Sequence, residues 1–324
     1  MAAANNGKIG VAAVVGPTGS GKTALACSLA ERFDLTIICA DSMQIYEGME
    51  IASAAPDPEE RRSAPHRLFG IKQPDENFSV ADYVNLASKE ISSVAEEGRL
   101  PCIVGGTGLY IDSLLCGRTF SDEPSDGGVL RRRLTEEAER VGYADMLERL
   151  RAIDPETAAR LHENDRKRII RAFEVYELHG ITPSEFNKMS REKESPYTSA
   201  VIGVTYKDRE KLYSRINERV DRMLESGLVE EAKRLRSRLG ATAVQAIGHK
   251  EIYPFIDGSI SLDEAAENLK RATRRYAKRQ LTWFNRNKDI YWIYMDECDD
   301  PTGEAERYIR SSLPQFVSGS RSDR

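Results

Sequence analysis

The segment VVGPTGSGKT, from Val14 to Thr23, constrains the fold of this chain more than any other part of the sequence. It ends the apolar run that starts at Ile9, and the residues after it (TALACSLAERF) have helical spacing without a breaker. A glycine-rich turn between a buried strand and a helix is the usual setting of a phosphate-binding loop, because backbone N–H groups and the positive end of the helix face one anion. We therefore expect an α/β core with an anion site at the edge of its sheet.

This segment satisfies every fixed position of the Walker A pattern, Gly-x-x-x-x-Gly-Lys-Thr. Lys22 supplies a point charge for the anion, and the hydroxyl of Thr23 is suited to hold Mg²⁺. The pattern does not identify the group attached to the phosphates, and ATP or GTP is the common occupant. The residues expected to bind phosphate are Gly16, Pro17, Thr18, Gly19, Ser20, Gly21, Lys22 and Thr23.

Two further strand patterns follow, LTIICA before Asp41 and LPCIVGG from Leu100. Strands that alternate with helical patterns predict a parallel sheet flanked by helices, here a P-loop NTPase-like core with an all-helical insertion. The run VIGVTY at 201–206 returns the chain to the sheet, and IYWIYM is a possible last strand. The expected divisions are 1–117 for the first part of the core, 118–199 for the helical insertion, 200–315 for the second part of the core with basic helices, and 316–324 for a disordered tail.

Composition excludes several classes of protein. No apolar run approaches the roughly 20 residues that a membrane-spanning helix needs, so we expect no membrane partner. The N-terminus MAAANNGK lacks the pattern of a signal peptide, and the five cysteines form neither a CxxC pair nor a cluster with histidine. We therefore expect a cytoplasmic protein without a zinc site, and a monomer. The net charge of −5 argues only weakly against a nucleic-acid partner, since an average can hide a segregated surface.

Basic residues are in fact segregated near the C-terminal end. Between Asn268 and Lys288 there is no acid, and two adjacent basic stripes follow one predicted helix. Like charges at i, i+4 repel, and a polyanion such as RNA would relieve that repulsion. The alternative is an ordinary solvated face, which normally mixes both signs. The stripes are Lys270, Arg274 and Lys278, and Arg271, Arg275 and Arg279.

A second basic cluster lies in the insertion, within HENDRKRIIRAFEVYE. Asn164 or Asp165 is suited to cap a helix there, with Ile169 and Phe173 facing inward and the basic residues facing out. Two basic patches on different elements of a phosphate-binding protein favour a long anionic ligand. We expect at least one of three neighbouring arginines to contact it as well, namely Arg131, Arg132 or Arg133.

The residues after the second strand, Asp41-Ser42-Met43-Gln44, combine an acid, a hydroxyl and an amide. Such a group is able to hydrogen-bond the exocyclic amine of a heterocycle, and it is also typical of a helix N-cap. The residue types alone leave both interpretations open. For His66, which stands beside Arg67 and Leu68, we expect a structural hydrogen bond and not a role in the reaction.

Several motifs in this order and spacing resemble the tRNA dimethylallyltransferases, and the resemblance covers nearly the whole chain. They are GPTGSGKT at 16–23, DSMQIYEGMEI from Asp41, HRLF from His66, FSVADY from Phe78, GGTGLYI from Gly105, HENDRKRIIRAFEVYE from His162, RINERVDRML from Arg215 and KRQLTWF from Lys278. The sequence departs from the family pattern at Gly70-Ile71, where an acid is common, and at His249.

The resemblance implies that the loop holds the diphosphate of dimethylallyl diphosphate, and that a tRNA anticodon stem-loop is the partner. Asp41 is then the base that takes a proton from N6 of the adenosine 3′-adjacent to the anticodon. Lys22, Thr23 with Mg²⁺, and Arg219 neutralise the departing diphosphate, and Thr107 contacts the adenosine or the reacting centre. The implied tRNA contacts are Asp41, Ser42, Met43, Gln44, Asp165, Arg166, Lys167, Arg168, Ile169, Gly248, His249, Lys250, Lys278, Arg279, Gln280 and Trp283.

Three other functions fit parts of the sequence. A P-loop kinase of nucleosides or other small molecules explains the loop but has no need of a basic helix. An isopentenyltransferase that acts on free AMP shares the chemistry and likewise needs no such helix. A non-catalytic RNA-binding protein explains the basic patches but leaves the intact Gly21-Lys22-Thr23 and the strand-end Asp41 without a purpose.

Overall fold

The computed structural model describes residues 7–117, 128–192 and 194–316. The chain divides into two compact units, one formed by Met1–Leu115 with Ser195–Arg324 and the other by Cys116–Glu194. We refer to them as the core unit and the insertion unit. Residues 118–127, at the start of the expected helical insertion, lie outside the described residues. The same holds for residues 317–324 of the expected disordered tail.

The described part of the chain contains helices and parallel strands in alternation. The strands are β1 (Ile9–Val15), β2 (Leu35–Cys39), β3 (His66–Arg67), β4 (Leu100–Gly105), β5 (Tyr197–Thr205) and β6 (Tyr291–Tyr294). The helices of the core unit are α1 (Lys22–Ala30), α2 (Glu50–Ser53), α3 (Pro58–Ser63), α4 (Val80–Glu96), α5 (Gly108–Leu115), α11 (Arg209–Glu225), α12 (Leu228–Leu235), α13 (His249–Ile256), α14 (Leu262–Phe284) and α15 (Pro301–Ser312). The helices of the insertion unit are α6 (Val129–Val141), α7 (Tyr143–Ile153), α8 (Pro155–Ala158), α9 (Arg166–His179) and α10 (Pro183–Glu192).

The six strands form one parallel sheet in the order β3-β2-β4-β1-β5-β6, which confirms the predicted fold class. β1 lies between β4 and β5, and its residues are nearly all buried, as expected for a strand covered on both faces. Because the strands are parallel, their carboxyl ends meet at one edge of the sheet. That edge carries the phosphate loop after β1, Asp41 after β2 and Gly106 after β4. The short edge strand β3 has no apolar run, and the sequence analysis did not predict it.

Apolar side chains from the sheet and from flanking helices form the main core cluster. Leu29 on α1, Val104 on β4 and Ile309 on α15 are among its buried members. Phe316, which was predicted to begin the disordered tail, packs against this cluster, and a Cβ at Gly10 would lie 2.3 Å from its ring. The tail prediction is therefore wrong at this residue, because the aromatic ring covers β1.

The described part of the insertion unit is helical, with its own apolar cluster. Ile169, Ile170 and Phe173 of α9 pack against Leu134 of α6 and other buried residues. Ile169 is fully buried, so its side chain belongs to this cluster, and the implied tRNA contact at this residue stays a prediction. Strand β5 begins at Tyr197 within the core unit, whereas the sequence placed residues through 199 in the insertion.

No helix in the described ranges is both long and apolar enough to cross a membrane.

Replacing Leu29 with alanine tests the main core. Leu29 is fully buried, so Leu29→Ala should lower the free energy of unfolding by about 2–5 kcal/mol through lost burial and a residual cavity. Urea unfolding followed by tryptophan fluorescence measures this unit specifically, because both tryptophans, Trp283 and Trp292, lie in it. The matched control Leu262→Ala, at a position 38% exposed, should change stability by less than about 0.5 kcal/mol. Equal losses in the two variants would contradict this description of the core.

Candidate active site

The phosphate loop follows β1 and leaves no room for side chains at its start. Gly16 has a φ of 145°, and a Cβ there would lie 2.3 Å from the backbone oxygen of Val204. Gly21 is the N-cap of α1 in a left-handed conformation, and no side chain caps that end. The first N–H groups of α1 are thus not bonded to a capping side chain, which suits an anion at the helix N-terminus.

Lys22 lies in the first turn of α1, where its ammonium group donates a hydrogen bond of 2.7 Å to the Pro17 carbonyl oxygen. Burial and, to a smaller extent, the nearby Arg219 charge lower its pKa to about 7, while Asp41 acts in the opposite direction. Because the charged form of Lys22 is disfavoured at this place, an anionic ligand would stabilise it. Burial likewise lowers the pKa of Arg219, and Asp41 again acts in the opposite direction.

Two cavities meet at this point. The smaller, of about 50 Å³, is lined by Lys22, Thr23 and His66 among others. The larger, of about 390 Å³, is lined by polar and apolar side chains from several elements of the core unit. Three residues line both cavities, and they therefore form the partition between them: Thr18, Asp41 and Arg219.

Asp41 is fixed by its own segment and by the loop after β4. One of its carboxylate oxygens accepts a hydrogen bond of 2.9 Å from the backbone N–H of Met43, and the Ser42 N–H donates to the Thr107 hydroxyl at 3.0 Å. Thr107 in turn donates its own N–H to the Ala40 carbonyl oxygen. Residues 42–45 form turns and no helix, so the alternative of a helix N-cap is wrong, and Asp41 stabilises a turn instead.

Helix α2 supplies a backbone oxygen that positions two side chains. The Ser53 carbonyl oxygen accepts hydrogen bonds of 3.2 Å from Arg219 and from the amide of Gln44. Gln44 also donates to the Ala54 carbonyl oxygen and is half-buried, and its implied tRNA contact stays a prediction.

A buried carboxylate that no sequence motif indicated holds α2 in place. Glu231 accepts hydrogen bonds of 2.8 and 2.9 Å from the N–H groups of Ile51 and Ala52, the first turn of α2. Its carboxylate also bonds the ring of His249 at 2.8 Å. The sequence does contain a sign of this burial, because Glu231 occupies a position on the otherwise apolar face of α12.

These contacts show the surroundings of His249, which was implied to contact tRNA. Its side chain is fully buried against Glu231, and its implied tRNA contact stays a prediction. Gly248 is buried as well, with a φ of 127° and a Cβ position 3.0 Å from Ala52. Lys250 is exposed and lines the larger cavity, so it remains a candidate for an RNA contact.

One face of α14 packs on the loop after β4. Gln280 is 5% exposed and bonds the backbones of both Thr18 and Gly106, and its implied tRNA contact stays a prediction. The half-buried Trp283 donates its indole N–H to Asp112 at 2.7 Å. This hydrogen bond orients the indole within the protein, and the implied contact of Trp283 with tRNA stays a prediction.

The basic stripes of α14 are less uniform than the sequence suggested. Lys270 pairs with Asp221 at 2.8 Å, which partly neutralises one stripe, and Arg274 of the same stripe donates to the Asn217 side chain at 2.6 Å. Four basic residues of this helix are exposed, and Arg279 among them lines the larger cavity. The exposed set is Arg271, Arg275, Lys278 and Arg279.

In the insertion unit, Asp165 is the N-cap residue of α9, but its carboxylate accepts from the N–H of His162 and caps no helical N–H. Arg166, Lys167 and Arg168 are exposed or half-buried, and Arg168 pairs with Asp165 at 3.2 Å. Their contacts with tRNA stay predictions. Among the arginines of α6, Arg131 pairs with Glu174 and Arg133 pairs with Glu177.

His66 and Gly70 each make a hydrogen bond to a backbone carbonyl oxygen nearby. The Nδ1 atom of His66 lies 2.8 Å from the Ala64 carbonyl oxygen, in keeping with the favoured structural interpretation, and burial lowers its pKa. Gly70 has a φ of 54° and donates its N–H to the Gln44 carbonyl oxygen. A left-handed turn favours glycine here over the acid that is common in the family.

The parallel sheet, the strand-loop-helix junction and the paired cavities define a phosphate-loop protein of the α/β class. The sequence profile of the family described as IPP transferase matches residues 44–287. A tRNA dimethylallyltransferase of Geobacillus thermodenitrificans is 46% identical over 308 residues, which are 94% of this chain and 97% of that protein. One of Bacillus subtilis is 45% identical over 293 residues, 90% and 92% of the two chains.

Solved structures give the same result. The full-length tRNA isopentenylpyrophosphate transferase of Bacillus halodurans is similar with a TM-score of 0.69 at 40% identity, over 95% of this chain and 97% of that one. A eukaryotic dimethylallyltransferase acting on tRNA gives a TM-score of 0.79 at 28% identity, over 92% and 77%. The chain therefore belongs to the IPP transferase family.

The lowered pKa of Lys22 predicts how diphosphate binding depends on pH. A pKa of about 7 leaves the free side chain mostly neutral at pH 8, and a bound anion would raise that pKa. Binding should therefore take up a proton above pH 7, and the affinity should fall as the pH rises. Calorimetry of inorganic diphosphate in buffers of different ionisation enthalpy measures this uptake.

Lys22→Arg is the matched control, because arginine stays charged throughout this pH range. It should remove the part of the proton uptake that belongs to residue 22 and leave only that of the diphosphate itself. Identical proton uptake by the original protein and Lys22→Arg would contradict the assignment.

Proposed function

We propose that this chain transfers the dimethylallyl group of dimethylallyl diphosphate to N6 of the adenosine 3′-adjacent to the anticodon in tRNA, with release of diphosphate. The observation that supports it is the position of Asp41 between the two cavities, with Lys22 and Thr23 on one side and the larger pocket on the other. A base at that position reaches both a donor on the loop and an acceptor in the pocket. The relatives named for this reaction make it the activity that fits best.

The reaction requires a proton acceptor beside the nucleophile. As the N6 lone pair forms a bond to the first carbon of the allylic group, the bond from that carbon to the bridging oxygen breaks and its electrons leave with the diphosphate. N6 becomes more acidic as the carbon–nitrogen bond forms, and Asp41 takes the proton. Its orientation by the Met43 N–H leaves the other carboxylate oxygen for this task. The products are N6-dimethylallyladenosine and diphosphate.

The main electrostatic task is to stabilise the leaving group. Negative charge accumulates on the diphosphate as the carbon–oxygen bond breaks, and Lys22 and Arg219 place two cations near that charge. Both cations are held at cost to their charged forms, as their lowered pKa values indicate. The backbone N–H groups of the loop add fixed dipoles that need no reorganisation during the reaction.

The larger pocket has the composition expected for a base taken out of its stack. Apolar side chains such as Met43, Met223 and Leu269 line it together with polar groups, including Tyr276 and Arg279. Flipping a nucleotide costs a few kcal/mol, which contacts between RNA and the exposed basic residues of α14 would offset. Thr107 lies beside the segment that carries Asp41, since its hydroxyl accepts a hydrogen bond from the Ser42 N–H. We propose that Thr107 contacts the reacting centre.

Mg²⁺ is proposed to assist at the diphosphate. Among the described residues no group of three or more histidine, cysteine or acidic side chains could hold a metal by itself. Thr23 lines the smaller cavity and offers a hydroxyl, which fits an ion that takes its other ligands from phosphate and water. When bound there, Mg²⁺ would neutralise charge on the diphosphate. The cytoplasmic location and the monomeric state stay predictions from the sequence.

Replacing Asp41 with asparagine tests the proposed base. Asp41→Asn keeps the size and the bond from Met43 but removes the proton acceptor, so turnover should fall by roughly 10²–10⁴ while the affinity for diphosphate changes by only a few fold. Single-turnover prenyl transfer to unmodified tRNA measures the first quantity, and calorimetry measures the second. Asp299→Asn, at an exposed position, is the control. Parallel losses of turnover and diphosphate affinity would rule out Asp41 as the base.

Replacing Thr23 with alanine tests the metal proposal. Removal of one oxygen ligand should raise the Mg²⁺ concentration needed for half-maximal diphosphate binding by roughly tenfold. The control Thr135→Ala removes a hydroxyl that bonds only within its own helix and should leave that concentration unchanged. If diphosphate binding by the original protein is the same with and without a chelator, the proposed role of Mg²⁺ is refuted.

A further inference from the structure

The side chain of Gln280 joins two loops that lie far apart in the sequence. Its carbonyl oxygen accepts a hydrogen bond of 2.9 Å from the N–H of Thr18 in the phosphate loop. Its NH₂ group donates a bond of 2.9 Å to the carbonyl oxygen of Gly106, at the end of β4. Since Gln280 is only 5% exposed, both bonds are shielded from water and are difficult for solvent to replace.

The surroundings are built around this amide. A Cβ at Gly106 would lie 2.2 Å from the Gln280 nitrogen, so only glycine allows the approach. The next residue, Thr107, accepts the bond from Ser42 that fixes the Asp41 segment. Tyr276, one turn earlier on α14, is close to the side chains of both Thr107 and Gln280.

An amide is the chemical group that this position requires. Thr18 presents a donor and Gly106 presents an acceptor, so the side chain between them must accept at one end and donate at the other. A carboxylate would accept from Thr18 but would face the Gly106 oxygen without a proton and would add negative charge beside the diphosphate site. An apolar side chain would leave both backbone groups without a partner.

We propose that Gln280 is a positioning residue that fixes the phosphate loop relative to the Gly106-Thr107 loop, and thereby sets the affinity for diphosphate. It lies at the wall of the smaller cavity and acts through its hydrogen bonds to the backbones of Thr18 and Gly106. The inference rests on the diphosphate site of the proposed function. It gives Gln280 a role distinct from those of the neighbouring exposed residues Lys278 and Arg279.

Two substitutions test the proposal by calorimetry of inorganic diphosphate with Mg²⁺. Gln280→Met has nearly the same size and loses both bonds, so its dissociation constant should exceed that of the original protein by about tenfold at every pH. Gln280→Glu should bind more weakly still at pH 8, because its carboxylate is charged. At pH 5.5 a protonated carboxyl group again accepts at one end and donates at the other, so its ratio to the original protein should fall to within about threefold.

This pH-dependent recovery is a result that a merely structural role would not produce. Gln73→Met, the same change at an exposed glutamine, is the control and should bind diphosphate normally. Normal binding by Gln280→Met would overturn the proposal, and so would a Gln280→Glu ratio that does not change with pH. The measurement needs no tRNA, so a failure of prenyl transfer would not affect the test of Gln280. A lack of diphosphate binding by the original protein would contradict both proposals.

Discussion

Two cations held close together in a partly buried site are the constraint around which the rest of the structure is arranged. Burial and mutual repulsion lower the pKa of Lys22, and burial lowers that of Arg219, while Asp41 offers a single opposing charge. An anion of higher charge in the smaller cavity would relieve both costs. The site is therefore prepared for a diphosphate before any ligand arrives, which is how an enzyme stabilises a leaving group without reorganising during the reaction.

Keeping these charges in place depends on residues far along the chain. Glu231 secures the first turn of α2, and α2 supplies the carbonyl oxygen that bonds Arg219. Gln280 secures the phosphate loop against the loop after β4. Both supports come from the part of the core unit that follows the insertion, so residues distant in sequence hold the edge of the sheet that carries the phosphate loop.

The sequence predicted the sheet and the phosphate loop well, because buried strands and a Walker A loop have local signatures. β1 has the predicted bounds, and Gly16 is a position where backbone contact excludes a side chain. The environments of Gln280 and His249 were not predictable, because motif position does not reveal which face of a helix is buried. Glu231 was missed for a related reason, since its bonds to α2 span about 180 residues of sequence.

Mass spectrometry of tRNA nucleosides, after incubation of unmodified tRNA with the purified protein and dimethylallyl diphosphate, tests the central claim most directly. The account predicts N6-dimethylallyladenosine next to the anticodon, one diphosphate released for each group transferred, and almost no product from Asp41→Asn. A phosphorylated product, an unchanged nucleoside composition or full activity of Asp41→Asn would contradict it.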